Sequence, residues 1–235
     1  MVTKPRIIAA MPAYNEEGNI GTIVLKAKQH VDEVVVVDDG SRDATADVAR
    51  AAGAKVVSHG TNRGYGETIK SCFAAARTSG ADVLVILDTD GQHDANDILR
   101  LLAPILHNEA DLTVGSRFLD SAVSFPRYRK FGIEVINWLW NFGSKTKVSD
   151  TQSGFRAYSR ELIDKIHPTA KGMSISVEIL EKARRRRARI KEVPVSCYYE
   201  DSSLNWAAIK HGLGVAMVVL AIRLKYGLLD FFGRV

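Results

Sequence analysis

The sequence predicts an α/β fold with a mostly parallel sheet flanked by helices. Three observations carry that expectation. Residues 7–11, 34–37 and 83–87 are short unbroken apolar runs, the pattern of strands buried on both faces. Helical patterns separate and follow them, over residues 18–30, 44–52, 67–79 and 97–108. Polar, acid-rich loops end each apolar run, and the carboxyl ends of strands are where α/β sheets bind ligands. At 235 residues, without a linker or repeat, the chain reads as one domain over 1–235. Hydrophobic residues at 46% and charged residues at 25% suit an ordinary globular core and exclude a disordered or fibrous chain.

Residues 7–11 form the first strand, and Pro12-Ala13-Tyr14-Asn15-Glu16-Glu17 leads into helix 18–30. Tyr14 has the shape to stack on a base, and Glu16 can accept from a base or ribose. The bland alternative is a polar loop with an acid favoured by the helix dipole, and Glu17 fits it. The second strand, 34–37, ends in Asp38-Asp39-Gly40-Ser41-Arg42-Asp43. Asp43 or Ser41 caps helix 44–52, which leaves Asp39 free to accept from the N–H of a base. Gly53 reads as that helix's C-cap, and residues 55–58 as a short third strand. Asn62-Arg63-Gly64-Tyr65-Gly66 opens helix 67–79. Glycines there let backbone N–H groups approach a phosphate. The spacing is neither a Walker loop nor a dinucleotide fingerprint, and a tight turn explains it equally well.

The strand over 83–87 stops at Asp88-Thr89-Asp90-Gly91-Gln92-His93. Two ionised carboxylates there repel each other unless a cation lies between them. Mg²⁺ and Mn²⁺ take oxygen ligands, usually one or two carboxylates plus substrate phosphates. Asp88 and Asp90 are therefore candidate ligands, with Gln92 as a neutral oxygen donor and His93 within reach of a leaving phosphate. The alternative is helix capping, which describes Asp94 and Asn96 well.

A strand over 110–117 ends in Gly115-Ser116-Arg117, where an arginine can clasp a phosphate through two N–H groups. Residues 118–130 show no clear period and mix Arg127, Arg129 and Lys130 with Phe125, Tyr128 and Phe131. That mixture suits a membrane surface or nucleic acid. Helix 133–142 is strongly apolar, and Trp138 and Trp140 behind a basic loop suggest an interfacial helix rather than core. Residues 149–159 are dense in polar groups around a central Gly154 and precede helix 160–166, and residues 173–187 read as a helix with Glu178 inside its apolar pattern. Arg184 to Arg187 read as a solvated face. Pro194 makes 190–196 an edge strand, residues 198–205 form a polar loop, and an amphipathic helical tail starts at about 206.

A net charge of +5 favours an anionic partner. Two cysteines are too few for a disulfide framework, so a reducing, cytoplasmic compartment is expected. The N-terminus lacks a signal-peptide apolar region. Residues 213–224, broken by Arg223, are too short to span a bilayer, so any membrane attachment is expected to be peripheral, at the cytoplasmic face.

Six segments in order, Pro12-Ala13-Tyr14-Asn15-Glu16, Asp38-Asp39-Gly40-Ser41, Asn62 with Gly64, Asp88-Thr89-Asp90-Gly91-Gln92-His93, Gly115-Ser116-Arg117 and Thr151-Gln152-Ser153-Gly154-Phe155-Arg156, resemble glycosyltransferase family 2. More narrowly, they resemble the dolichyl-phosphate mannose synthase branch of the polyprenyl-phosphate glycosyltransferases. The resemblance covers roughly residues 7–195. It implies a GT-A fold, Rossmann-like, with Mg²⁺ or Mn²⁺. By motif match, Pro12, Ala13, Tyr14, Asn15, Glu16, Val37, Asp39 and Gly64, with Asp88, Thr89 and Asp90, hold the nucleotide. Asp88, Asp90 and Gln92 hold the metal, while Arg117, Arg129 and Lys130 receive the lipid phosphate, and the turn Gln152, Ser153 and Gly154 lines the sugar pocket. The chain departs from the branch at Tyr199-Glu200-Asp201-Ser202-Ser203, where the mannose synthases usually carry a Ser-Lys element. Many members also continue into spanning helices.

The implied reaction is an inverting transfer from a nucleotide sugar to a polyprenyl phosphate. An ionised phosphate acceptor needs no strong base. A hydroxyl acceptor would need one, and Asp150 and Glu178 are the acids to consider. A binding module that has lost catalysis is a second class, against which the intact pair Asp88 and Asp90 speaks. A nucleic-acid binder is a third, and it leaves the strand-end acids unexplained. No nucleic-acid partner is expected.

Overall fold

The computed structural model describes residues 4–119, 127–144, 146–198, 214, 217 and 219–221, with backbone alone for 127–129. All but Tyr198 of the loop expected over 198–205, and most of the tail expected from about 206, lie outside the described residues, as does Phe125.

The strands are β1 (Ile7–Ala13), β2 (Glu33–Asp38), β3 (Lys55–Ser58), β4 (Val83–Ile86), β5 (Leu112–Ser116), β6 (Arg156–Ser159) and β7 (Ile190–Pro194). The helices are α1 (Ile20–Ala27), α2 (Thr45–Ala51), α3 (Tyr65–Thr78), α4 (Ile98–Leu106), α5 (Arg127–Asn141), α6 (Arg160–Lys165) and α7 (Ser174–Arg185). One seven-stranded sheet runs β3-β2-β1-β4-β6-β5-β7. All its pairs are parallel except the two that β6 makes with β4 and β5.

The apolar runs are unbroken because both sheet faces are covered. Ile8, Ala10, Val35, Val37, Leu84 and Ile86 pack against α3, α6 and α7. Their neighbours Ala9, Met11, Val34, Val36, Val83 and Val85 pack against α1 and α4 on the other face. Each of the larger ones, the Val, Ile, Leu and Met side chains, contributes about 1.5–3 kcal/mol by leaving water. Local signals set several ends. Asp43 accepts from the Thr45 N–H at the start of α2, and Asp94 caps the turn before α4 by accepting from Asn96 N–H. Gly53 closes α2 at a φ of +89°.

One element has no counterpart in the sequence reading, and one expectation changes. Residues 156–159 form an interior antiparallel strand. The segment Arg-Ala-Tyr-Ser has no β-branched residue, so its strand state comes from its neighbours. Arg156 is buried, donating to the carbonyls of Ser176 and Thr151, and Tyr158 packs edge-on to Phe73 at 5.0 Å. The basic residues 127–130 do not lie on a loop but form the first turn of α5. That helix is amphipathic from Phe131 onward, and its pattern extends back to Arg127.

Chain order places the functional loops. From β1 the sheet extends to β2 on one side and β4 on the other, so the carboxyl ends of β1 and β4 flank a topological switch point.

Candidate active site

A cleft of about 350 Å³ opens at that switch point. Its lining includes Pro12, Ala13, Tyr14 and Glu16 from the end of β1, Asp39 from β2, Asn62, Gly64 and Tyr65 at the start of α3, and Asp88, Thr89 and Asp90 after β4. Most of the nucleotide-holding set expected from sequence is thus together. Two members are not in the lining. Val37 is wholly buried in the core on the α3 face, as every second residue of a doubly covered strand must be. Asn15, at a φ of +56°, ties two loops together: its N–H donates to Ser41 Oγ, and its Oδ1 accepts from the Arg42 N–H at 2.9 Å.

The cleft walls are cross-linked. The buried Thr89 hydroxyl donates to the Pro12 carbonyl at 2.8 Å, clipping the turn after β4 to the loop after β1. Glu16 N–H donates to Thr45 Oγ1, and burial raises the Glu16 carboxyl above its usual range. Glu17 accepts from Ala44 N–H and so serves the start of α2.

Asp88 is partly buried and accepts from the Tyr65 hydroxyl at 3.1 Å. Burial first, and then the Asp90 charge, push its carboxyl up. Asp90 is exposed, and its Oδ1 accepts from Gln92 N–H at 3.0 Å. Gly154 lies against Asp88. Ile86 pairs with Arg156 in the antiparallel ladder, so the residues two beyond and two before, Asp88 and Gly154, face each other. A Cβ at 154 would stand 2.1 Å from Asp88 Oδ2, so only glycine fits beside the carboxylate.

The donor set suits a hard divalent cation: two crowded carboxylates on one turn, one pushed up by burial and by its partner's charge. Among the described residues no group of three or more His, Cys, Asp or Glu side chains could hold a metal ion. Such a site reaches full coordination only with oxygen from elsewhere, as substrate phosphates provide. His93 is buried, its ring Nδ1 3.2 Å from the Ser196 carbonyl, and burial lowers its basicity.

Asp39 is not free. Its Oδ1 accepts from His59 Nδ1 at 2.7 Å and Arg63 N–H at 2.9 Å, and its Oδ2 from Gly64 N–H at 2.8 Å. The turn before α3 folds around this carboxylate, with Gly64 at a φ of +89°.

Arg117 and Asp150 form one unit. Arg117 Nε and Nη2 donate to the Asp150 carboxylate at 2.7 and 2.9 Å. Asp150 is fully buried. Burial pushes its carboxyl up, but the charge and hydrogen bonds of Arg117 outweigh that and hold it below the usual range. Asp150, considered as a base for a hydroxyl acceptor, is therefore committed to the Arg117 guanidinium. The Arg117 charge reaches both Asp88 and His93. Glu178 is likewise committed, accepting from Thr169 and Ala170 N–H and pairing with Lys182. Ser153 is buried with its hydroxyl accepting from Phe155 N–H, so it turns into the protein rather than toward a pocket. Gln152 is half-buried next to it. Lys130 is exposed on α5, and the Arg129 side chain lies outside the described residues.

Helix α5 divides the expectation made for it. Trp140 is fully buried core, while Phe131, Val135, Trp138 and Phe142 are exposed along one face. Its inner face is fastened through Asn137, whose Oδ1 accepts from Thr151 N–H and Oγ1. Tyr65, His59 and Met173 at or behind the cleft were not singled out from sequence. A tyrosine between two glycines at a helix start was the one legible hint.

The model of the family described as Glycosyl transferase family 2 matches residues 8–167. The chain belongs to this family. It is a glycosyltransferase. Among its relatives is the UDP-N-acetylglucosamine–dolichyl-phosphate N-acetylglucosaminyltransferase of Methanococcus voltae, 29% identical over 84% of this chain and 88% of the relative. Another is the dolichyl-phosphate hexose transferase of Haloferax volcanii, 32% identical over 80% of this chain and 81% of the relative. These names place the chain beside the polyprenyl-phosphate branch. In fold it is similar to glucosyl-3-phosphoglycerate synthase of Mycobacterium tuberculosis, solved with Mn²⁺, uridine diphosphate and glucosyl-3-phosphoglycerate. That match has a TM-score of 0.76 at 22% identity, covering 93% of this chain and 80% of the other, and it establishes the GT-A-like architecture.

Proposed function

We propose that the protein transfers a sugar from a nucleoside diphosphate donor to a polyprenyl phosphate, with inversion at the anomeric carbon. One observation carries the reading: the cleft sets the crowded acids Asp88 and Asp90 at the switch point, with the Asp150-oriented cation of Arg117 within electrostatic reach of Asp88. Asp88 and Asp90, with Gln92, would hold Mg²⁺ or Mn²⁺, which when bound offsets charge gathering on the departing nucleoside diphosphate. Tyr65 and Gly154 fix the Asp88 carboxylate from two sides. Tyr14, half-exposed at the cleft, offers its ring to the base, and Asp39 offers an acceptor.

A phosphate nucleophile is favoured by the state of the acids. A hydroxyl acceptor would need a carboxylate base. Asp150 is bound to Arg117 and Glu178 to Lys182, and both are held below the usual carboxylate range after burial is offset. An ionised phosphate needs positioning beside another anion instead, which is work for the Arg117 cation.

The acceptor's lipid supports attachment at a membrane surface. No helix among the described residues is long and apolar enough to cross a bilayer. The exposed stripe Phe131, Val135, Trp138 and Phe142, beside Lys130, has the composition of a face that lies in the headgroup region. Basic residues near an anionic surface add about 1 kcal/mol each, so attachment is reversible and salt-sensitive.

The test is transfer from UDP- and GDP-sugars to a short polyprenyl phosphate, with and without a chelator. Metal-dependent formation of the inverted glycosyl phosphate is expected. Transfer to a soluble hydroxyl with none to the lipid phosphate would overturn the reading.

A further inference from the structure

Behind the cleft, two side chains that do not line it, His59 and Ser71, form a chain with the Asp39 carboxylate that does. His59 follows β3, and its side chain is only 6% exposed. Its Nδ1 stands 2.7 Å from Asp39 Oδ1 and its Nε2 stands 2.8 Å from Ser71 Oγ on α3. An ionised carboxylate only accepts, so Nδ1 must carry the proton. Nε2 meets the Ser71 hydroxyl, which can serve as donor or acceptor to it. The Asp39 carboxylate thus fixes the proton on Nδ1, and Ser71 holds the far edge of the ring in place.

The consequence lies in the lone pairs of Asp39. Its two oxygens offer about four acceptor positions. Oδ1 is used by His59 Nδ1 and Arg63 N–H, and Oδ2 by Gly64 N–H. The carboxylate is 3% exposed and lines the cleft, so one position on Oδ2 is left for a ligand. The carboxylate is pinned from behind on three bonds and cannot turn to suit a different partner. It can receive an N–H, and it repels a lone pair.

We propose that Ser71 and His59 are positioning residues that make Asp39 a fixed acceptor, selecting nucleotides whose base carries a ring N–H. This rests on reading the cleft as the nucleotide site. Uracil and guanine present a ring N–H on their pairing edge. Cytosine and adenine present a lone pair at the matching nitrogen, so they meet the carboxylate unfavourably or must shift to offer an exocyclic amine. Rejection of the wrong edge is strong where the site's polar group is buried and cannot adapt.

The experiment measures affinities of UDP, CDP, GDP and ADP, each with Mn²⁺, and of inorganic diphosphate with Mn²⁺, by calorimetry on the whole chain. Wild type is expected to favour UDP over CDP, or GDP over ADP, by at least about tenfold, the scale of one hydrogen bond to a charged group. His59→Ala should bring that ratio toward one while diphosphate affinity stays unchanged. His59→Asn keeps a donor near the Nδ1 position and should recover most of the preference. Ser71→Ala, the milder change, should lower it in part. A folded His59→Ala that keeps the wild-type ratio overturns the inference, as does a wild type that binds these nucleotides without preference; in both cases the proposed function stands. A wild type that binds none of the four removes the nucleotide reading and this inference together.

Discussion

Substituting Gly154 by alanine separates the active site from the fold. The new Cβ would stand 2.1 Å from Asp88 Oδ2 and 2.8 Å from Asp88 Cγ. Carbon and oxygen settle at roughly 3.3 Å or more, so the carboxylate must retreat by about 1.2 Å. It is a short side chain already tied to the Tyr65 hydroxyl at 3.1 Å, and moving it stretches that bond and changes its angle to Asp90. Gly154 has no positive φ, so the effect is steric rather than conformational. Displacing a catalytic constellation by about 1 Å costs on the order of a hundredfold in rate, while overpacking one contact costs about 1–3 kcal/mol of stability. Gly154→Ala should therefore lose about a hundredfold in metal-dependent transfer and weaken Mn²⁺-dependent nucleotide binding, with only a modest fall in melting temperature. Gly132→Ala is the control, because nothing lies within 4 Å of its added Cβ on α5. Near wild-type transfer by Gly154→Ala, with an unchanged metal requirement, would refute the reasoning.

Asp90→Asn should abolish transfer without changing the melting temperature, because Asp90 is exposed and makes no ion pair among the described residues; full activity in the variant would remove Asp90 from the metal site. Asp39→Ala should raise KM for the nucleotide sugar more than it lowers kcat, the pattern of a contact made equally before and during reaction. Arg117→Ala leaves Asp150 buried without its cation, a loss of about 3–5 kcal/mol at neutral pH. The wild-type pair has the opposite pH behaviour: the Asp150 carboxyl is lowered on folding, so its contribution is present above the ordinary carboxylate range and fades as pH falls through the folded value. Melting curves from pH 7 down to pH 3 should therefore show wild type and Arg117→Ala converging in acid, and parallel curves would contradict the pairing. Trp138→Asp should reduce sedimentation with anionic vesicles at low salt while leaving melting unchanged, since that ring is 63% exposed.

Local chemistry made much of this protein legible from sequence. The apolar runs at 34–37 and 83–87 carry strand and burial in their own composition, because a strand covered on both faces has no polar side to show. Asp88 and Asp90 stand out by repulsion within one turn, and Asp94 as a cap, while Asp43 is one of two candidate caps. None of these needs knowledge of a distant residue. Tertiary structure decided the rest, through contacts whose partners lie far apart in the chain. Residues 156–159 have no β-branched residue and a weak strand pattern of their own, and they pair on both sides, with β4 and β5. That insertion brings Gly154 to Asp88 across 66 positions. Asp150 looked like a free acid, and only the fold shows Arg117 clasping it from 33 positions away. Asp39 looked free for the same reason, until the fold brought His59 and the turn at Arg63 and Gly64 to it. A carboxylate's role depends on which donors reach it, and that is set by sheet order and register rather than by its neighbours in sequence.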